Sequence, residues 1–551
     1  MEERRQGSSS DGHWGSRRGR RSDGAADVLI GIDTGTYTTK GVACLTDGTV
    51  IAEALAAHDI SVPQPGFAEQ DADGVWWRDF CLVARRLTGA LPRRSGVAAL
   101  AVSGMGPCLV AVDGDGHPLR PAMLYGVDAR SEQQIAELEA RIGRDRIARL
   151  SGCRLTSQYV GPKILWLKEN EPATFEKTSR FLTTTSYLLF RLTGSYVVDQ
   201  HQASYFAPFA DLKHGRWDLR YADGLITESL LPEIRWSHEV AGWILPDVCE
   251  ATGLQSGTPV VVGSTDGVAE ALSVGVVDPG DIMITYGSAA VLMLVLREPR
   301  SAPNLWPGAG AFPGTYTLTG GPSATGSITS WFRRELAREI PQRSSEEISQ
   351  AHGMLATEAE QSPPGAHGLL MLPYFSGERS PISDPNARGV LAGLNLSHTR
   401  GDIYRAILEA SGFAARHTME HMEATGAQIR RVVAVGGGSI SNLWVQIMSN
   451  VTGWPQDVPV ARMGASYGDA FLAGLAIGAV KDTSLRDQWV HISHRVEPDP
   501  RTRDSYDLLY GMYLDLYRTS RSTVHRLAAV EGEALRQCEH SSAELQLGNT
   551  R

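Results

Sequence analysis

The sequence predicts an α/β protein built from two related domains, and three observations carry that prediction. At 551 residues the chain is too long for one hydrophobic core and suits two. Strand-like and helix-like segments alternate in both halves, the order expected of mixed βα layers. The third observation is an echo. Val28, Leu29, Ile30, Gly31 and Ile32 form an apolar run that ends at Asp33 and turns through Thr34, Gly35 and Thr36. Ile282, Met283 and Ile284 likewise run into Thr285, Tyr286, Gly287 and Ser288 before Val291, Leu292 and Met293. Each reads as a hairpin whose turn sets glycine among hydroxyls.

Such a turn suits a phosphate. Gly35 lets a ligand approach the backbone, N–H groups and threonine hydroxyls can donate to its oxygens, and Asp33 can face a Mg²⁺ ion. A single hairpin of this kind is as readily a tight turn and nothing more. Two of them, one in each half, point to two domains closing on one nucleotide.

In chain order, residues 1–26 carry six arginines among Gly and Ser with almost no apolar residue, and read as a disordered tail. Strands are predicted at 28–33, 41–46, 50–58, 98–104 and 109–113, and helices at 73–91, 131–150, 162–170 and 179–192. A strand at 258–263 runs through Ser264 and Thr265 to Asp266 at a helix start, where an Asp is either a cap or a base. The turn at Asp278, Pro279 and Gly280 divides an N-terminal domain, 27–278, from a C-terminal one, 281–530. In the second domain a helix follows Asp402 as its N-cap. The strand 431–435 then opens into Gly436, Gly437, Gly438 and Ser439, and Asn442 starts a helix. That glycine loop is either a packed cap or backbone lying flat against a nucleoside. Helices at 467–477 and 504–529 come next; the last reads as packing or a homodimer surface, and 531–551 as a flexible tail.

The net charge of −10 argues against a general nucleic-acid binder. Six scattered cysteines, with no Cys-x-x-Cys pair, fit free thiols in a reducing cytoplasm. No apolar run approaches the ~20 residues that span a bilayer, so no membrane association is expected. His201 and His214 have no second ligand at a metal-binding spacing and read as core or surface histidines.

Several segments carry a family resemblance. Gly389, Val390, Leu391, Ala392, Gly393 and Leu394, followed after seven residues by Asp402 to Glu409, match the second signature of the FGGY carbohydrate kinases at every specified position. Lys163 to Asn170 fits the first signature in part, with Val160 and Gln158 departing from it. Pro65 to Asp71 resembles a further family element. The run Ser376, Gly377, Glu378, Arg379, Ser380, Pro381 is similar to a segment of its xylulokinase-like members.

The resemblance implies two actin-like (RNase-H-like) ATPase domains flanking a deep catalytic cleft, with ATP and Mg²⁺ as cofactors. It assigns Thr34, Gly35, Thr36 and Lys40 to one phosphate hairpin and Thr285, Gly287 and Ser288 to the other. Gly436, Gly437, Gly438, Ser439, Asn442 and Gln446 match the adenosine loop. Asp266 matches the catalytic base, and Asp33 and Asp266 the metal side. On the acceptor side, Met105, Gly106, Asp128 and Arg130 stand at the substrate positions, while Met105 to Cys108, Tyr125 to Arg130 and the Thr185–Ser186 pair all depart from the xylulokinase pattern. The implied acceptor is a small sugar, a ketopentose such as xylulose. Ribulose, gluconate, an autoinducer-2-like polyol and a non-catalytic sugar-binding pseudokinase remain as alternatives.

Overall fold

The computed structural model describes residues 27–548 except 93–94, 223, 461–462 and 483–484, with side chains as far as Glu531 apart from that of residue 487. The tail expected over 1–26 lies outside the described residues. Two sheets organise the molecule. The first contains β1 (Asp27–Thr34), β2 (Thr38–Leu45), β3 (Val50–Ala57), β4 (Gly96–Gly104), β5 (Val240–Trp243) and β6 (Pro259–Thr265), in the order β5-β6-β4-β1-β2-β3. The second contains β7 (Asp281–Thr285), β8 (Leu292–Leu296), β9 (Trp306–Ala309), β10 (Tyr316–Gly320), β11 (Arg431–Val435), β12 (Gln456–Pro459) and β13 (Ile492–Val496), in the order β9-β10-β8-β7-β11-β12-β13.

The echo in sequence is an echo in topology. β1 pairs antiparallel with β2 and parallel with β4, which pairs parallel with β6. β7 pairs antiparallel with β8 and parallel with β11, which pairs parallel with β12. Each sheet is thus a hairpin continued by two parallel strands, and the buried runs such as Leu29–Ile30 and Ile282–Met283 reflect sheets covered on both faces.

Two helices fill the space between the sheets: α1 (Asp266–Ser273) and α2 (Ala465–Ala476). Leu29, Val42 and Ala101 of the first sheet and Met283, Val295 and Val433 of the second share one core with Leu272 and Phe471 of these helices. The approach is close. A Cβ on Gly31 would lie 1.9 Å from the Ser466 carbonyl oxygen, and one on Gly468 would lie 2.0 Å from that of Ala269. Only glycine lets α2 press onto β1 and α1 at once. So a helix from the C-terminal half completes the N-terminal sheet.

Four expectations need correction. The helix expected at 131–150 breaks at Gly143, whose φ of +94° ends one helix before Arg144 starts the next. The segment 179–192 begins as a strand, Arg180–Leu182, paired with Val110–Val112, and turns helical only after Thr183 caps Ser186 N. Asp402 is not the N-cap of Arg400–Glu423; Thr399 is, and Asp402 returns the bond from the third helical position. The last helix runs Arg503–Gly548, past the tail expected from residue 531, because residues 531–548 hold Glu, Ala, Leu, Arg and Gln and no proline. Among the described residues no helix is long and apolar enough to cross a membrane.

Candidate active site

Three parallel strands of the first sheet end side by side. Register sets Asp33 and Thr34 of β1 against Ser103 and Gly104 of β4, and Ser264 and Thr265 of β6 against the same pair. Asp266 comes next, as the first residue of α1. Side chains leaving the carboxyl ends of parallel strands converge in a crevice, the usual ligand site of open α/β sheets. Here the crevice is acidic. Asp266 Oδ1 accepts from Gly267 N at 2.8 Å, and burial, then the Asp33 charge, push its carboxyl up to about 8. Burial and Asp33 push Glu270 up to about 7. Burial pushes Asp33 itself up to about 6, against the pull of Ser103 and Lys40.

These shifts fix a sign for stability. Each carboxyl binds its proton more tightly folded than unfolded, where ~4 is usual. The stability they contribute is therefore whole below about pH 4 and is lost as pH rises through about 6 to 8. Ligand-free protein should melt at lower temperature at pH 8.5 than at pH 5, and Asp266→Asn should flatten that slope and raise Tm at pH 8.5. A melting temperature that climbs over this range would contradict the arrangement.

The first hairpin is braced from behind. Gly35 N donates to Thr38 O at 2.9 Å, the His58 ring nitrogen Nε2 lies 3.0 Å from Gly35 O, and Gln70 donates to Thr36 O at 2.9 Å. Its carbonyls are thereby engaged away from the crevice. Thr36 Oγ1 meets the Tyr125 hydroxyl at 3.0 Å, whereas the Thr34 hydroxyl is enclosed with no hydrogen-bond partner. Lys40 is exposed beside Asp33.

The second hairpin is braced the same way. Gly326 N and Thr325 Oγ1 donate to Gly287 O, and Val291 N donates to Thr285 Oγ1 at 2.8 Å. β7 and β11 end together, so Tyr286 N donates to Val435 O at 2.7 Å and Gly438 N to Tyr286 O at 2.9 Å. The glycine loop is thus stitched to this hairpin. Gly436 has φ +94°, a Cβ on Gly438 would strike the Trp444 ring at 2.6 Å, and one on Gly437 would meet nothing within 4 Å. Gly437, Ser288 and Asn442 are exposed at the rim.

Comparison with known proteins decides what this frame is. The model of the FGGY family of carbohydrate kinases, N-terminal domain, matches residues 28–273, and that of its C-terminal domain matches 282–477. The chain belongs to the FGGY family of carbohydrate kinases. It is 29% identical to a xylulose kinase of Escherichia coli over 82% of this chain and 91% of that one. A glycerol kinase of Streptomyces avermitilis is also 29% identical, over 88% and 96% of the two chains. The solved xylulose kinase of Rhodospirillum rubrum superposes with a TM-score of 0.82 at 32% identity, covering 90% of this chain and all of that one. The protein is an ATP-dependent sugar phosphotransferase of actin-like fold.

In this FGGY kinase some expected site residues are engaged by protein partners. Asp128 and Arg130, side chains wholly buried, bind each other bidentately at 2.7–3.0 Å; Asp128 also takes Ala68 N and Arg130 reaches Glu69. The guanidinium lies 4.0 Å from the Phe67 ring centroid and 4.9 Å from that of Trp166. The geometry ties the pair to the Pro65–Asp71 segment, with Arg130 Nη1 left buried and without a hydrogen-bond partner among the described residues. Asp128→Ala should therefore cost about 3–5 kcal/mol of stability, as expected when a buried ion pair loses one member. Urea unfolding checks it; a stability loss under ~1 kcal/mol with a raised sugar KM would favour the binding role. Gln446 donates to Asn450 Oδ1 and Glu497 O, and buried Ser439 bonds back to Gly436 O, so both shape the loop. Met105 is buried with its N–H on Thr34 O, and Gly106 lies near Gln202 and Thr265.

Sequence reading missed four groups at the acidic crevice: Ser103, Glu270, Asp469 and the Tyr125 hydroxyl. Only Asp469 left a trace, as a lone acid on the apolar helix α2.

Proposed function

We propose that the protein transfers the γ-phosphate of Mg-ATP to a hydroxyl of a small ketose, with xylulose the first acceptor to test. The observation that carries this reading is Asp266, a half-buried carboxylate at a strand end beside Asp33, close enough to Tyr125 and Cys108 to act on both. The likeness to xylulose kinases over nearly the whole chain supports the acceptor class.

Phosphoryl transfer needs positioning and charge stabilisation more than covalent chemistry. Asp266 accepts a hydrogen bond from the attacking hydroxyl and takes its proton as the new P–O bond forms. The two hairpins flank the transferring group, the threonine and serine hydroxyls and the N–H groups not spent on internal bonds donate to it, and the glycine loop takes the adenosine. The donor set at the crevice, hard carboxylate oxygens held at raised pKa by one another and by burial, fits a divalent cation. Asp33 would hold Mg²⁺ through water, and the ion would neutralise charge on the phosphate oxygens. Lys40 stands on the same side.

Because the Met105–Cys108 wall departs from the xylulokinase pattern, the deciding measurement is an ADP-release screen across ketopentoses, gluconate, glycerol and other polyols. Xylulose giving the highest kcat/KM supports the reading. A better acceptor of another class replaces xylulose, and ligand binding without turnover on any of them would make the protein a sensor.

A further inference from the structure

We propose that Asp469 is a positioning residue for Asp33: a buried neutral carboxyl that donates to Ser103 and so commits the serine's own proton to Asp33. The inference rests on the reading of Asp33 as the metal-side acid.

Proton counting carries it. Ser103 Oγ lies 3.0 Å from Asp33 Oδ1 and 2.6 Å from Asp469 Oδ2, and both Ser103 and Asp469 are fully enclosed. A serine hydroxyl has one hydrogen and cannot donate to two carboxylates. Whichever contact that hydrogen serves, the other would set two bare oxygens at 2.6 or 3.0 Å, so one carboxyl of the pair is protonated. Asp469 is the one placed to be. Its Oδ1 is buried with no hydrogen-bond partner, and no cation pairs with it among the described residues. An ionised carboxylate there would leave most of its lone pairs unanswered in a dry site. Burial, with Asp33 and Asp266 nearby, outweighs the opposing pull of the Ser103 hydroxyl and backbone N–H and holds its proton well above the usual carboxylate range. The relay runs from Asp469 Oδ2–H to Ser103 Oγ, then from Ser103 Oγ–H to Asp33 Oδ1.

The helix is seated hard against the strand at this contact. A Cβ on Gly31 would meet Asp469 Cβ at 2.8 Å and Ala470 N at 2.5 Å, which shows how tightly α2 is seated on β1. Asp33 is thus held at Oδ1, while its Oδ2 faces the Gly35 turn. A residue from the C-terminal half fixes the acid of the first hairpin.

The test uses the full chain with Asp469→Asn, Asp469→Ala and Ser103→Ala. The Asn amide donates to Ser103 as the neutral acid does, so Asp469→Asn should keep kcat, and the Mg²⁺ concentration for half-maximal ADP binding by calorimetry, within about threefold. Asp469→Ala and Ser103→Ala should raise that Mg²⁺ requirement about tenfold or more, the usual effect of losing an outer-shell partner, with metal-free ADP affinity unchanged. Asp266 and Glu270 also hold protons near neutral pH, so the wild-type minus Asp469→Asn infrared difference spectrum should show the loss of one protonated-carboxyl band. If Asn is as damaging as Ala, Asp469 acts as a charge and the assignment falls. Wild-type behaviour of Asp469→Ala or Ser103→Ala also ends it. If wild type itself shows no Mg²⁺ enhancement of ADP binding, the reading of Asp33 fails first and takes this one with it. Should Asp469→Ala not fold, Asp469→Asn and Ser103→Ala still decide.

Discussion

Replacing Asp266 with alanine is expected to reduce sugar-dependent ADP formation by about 10²–10⁴-fold, the typical contribution of a positioned base. Sequence alone leaves Asp266 as either a helix cap or a base. The structure separates the two, because the cap is Thr265, whose hydroxyl accepts from Val268 N. Asp266 keeps one bond to Gly267 N within an otherwise acidic, half-closed crevice. A carboxylate so placed is a liability to the empty fold, since burial and Asp33 both oppose its charge. Asp266→Ala should therefore lose activity while gaining thermal stability at pH 8. Misfolding would lower both together. The checks are kcat by coupled ADP release, ADP affinity by calorimetry and Tm on the same preparation. Retention of more than about a tenth of kcat, or a Tm that falls with kcat, would remove Asp266 from the role of base.

How much of the molecule is legible in the sequence depends on where each contact partner lies. The two hairpins are legible because a hairpin is local: Asp33 pairs with Lys40 and Thr34 with Thr39 across a turn a few residues long. The glycine loop is legible for the same reason. Its attachment to the second hairpin is not, since the Tyr286 to Val435 bond spans two distant strands. Ser103 and Asp469 stand 366 positions apart, and no periodicity in either segment announces their bond. Asp128 and Arg130 show a different limit. Their spacing allows a carboxylate and a fork donor aimed at sugar hydroxyls, but it equally allows the bidentate pair that forms. Phe67 and Trp166, packed over the guanidinium, are distant in sequence and give the pair its setting. The seating of helix α2 on the first sheet is likewise invisible in the sequence. It depends on glycines at 31 and 468, which read there as ordinary small-residue content.

Gly263→Ala is expected to be among the most damaging single-methyl changes in the chain. β6 carries a bulge between Val261 and Ser264: Val261 faces Ala101 and Ser264 faces Ser103, so two residues of β6 stand against Val102 alone. Gly263 is the residue that makes this possible, with φ +66°. Bulges bend a strand and re-aim the residues beyond them. Beyond this one lie Ser264, Thr265 and Asp266. A Cβ on Gly263 would lie 1.7 Å from the Val102 carbonyl oxygen and 2.9 Å from its carbon, both backbone atoms of the neighbouring strand. No rotamer change can relieve that. The left-handed conformation costs about 1–2 kcal/mol for any L-residue. The overlap adds about 1–3 kcal/mol or more. Any relaxation that spares the fold must move the end of β6, and a shift of ~1 Å in a reacting group can cost 10²-fold in rate. Gly257→Ala isolates the conformational contribution, because Gly257 has φ +79° but nothing within 4 Å of a built Cβ. Gly257→Ala should cost only that part and keep kcat, whereas Gly263→Ala should lose both stability and at least about 10²-fold in kcat. Urea unfolding and steady-state kinetics on the two variants measure the difference. Equal behaviour would mean that the bulge at Gly263 does not aim Asp266.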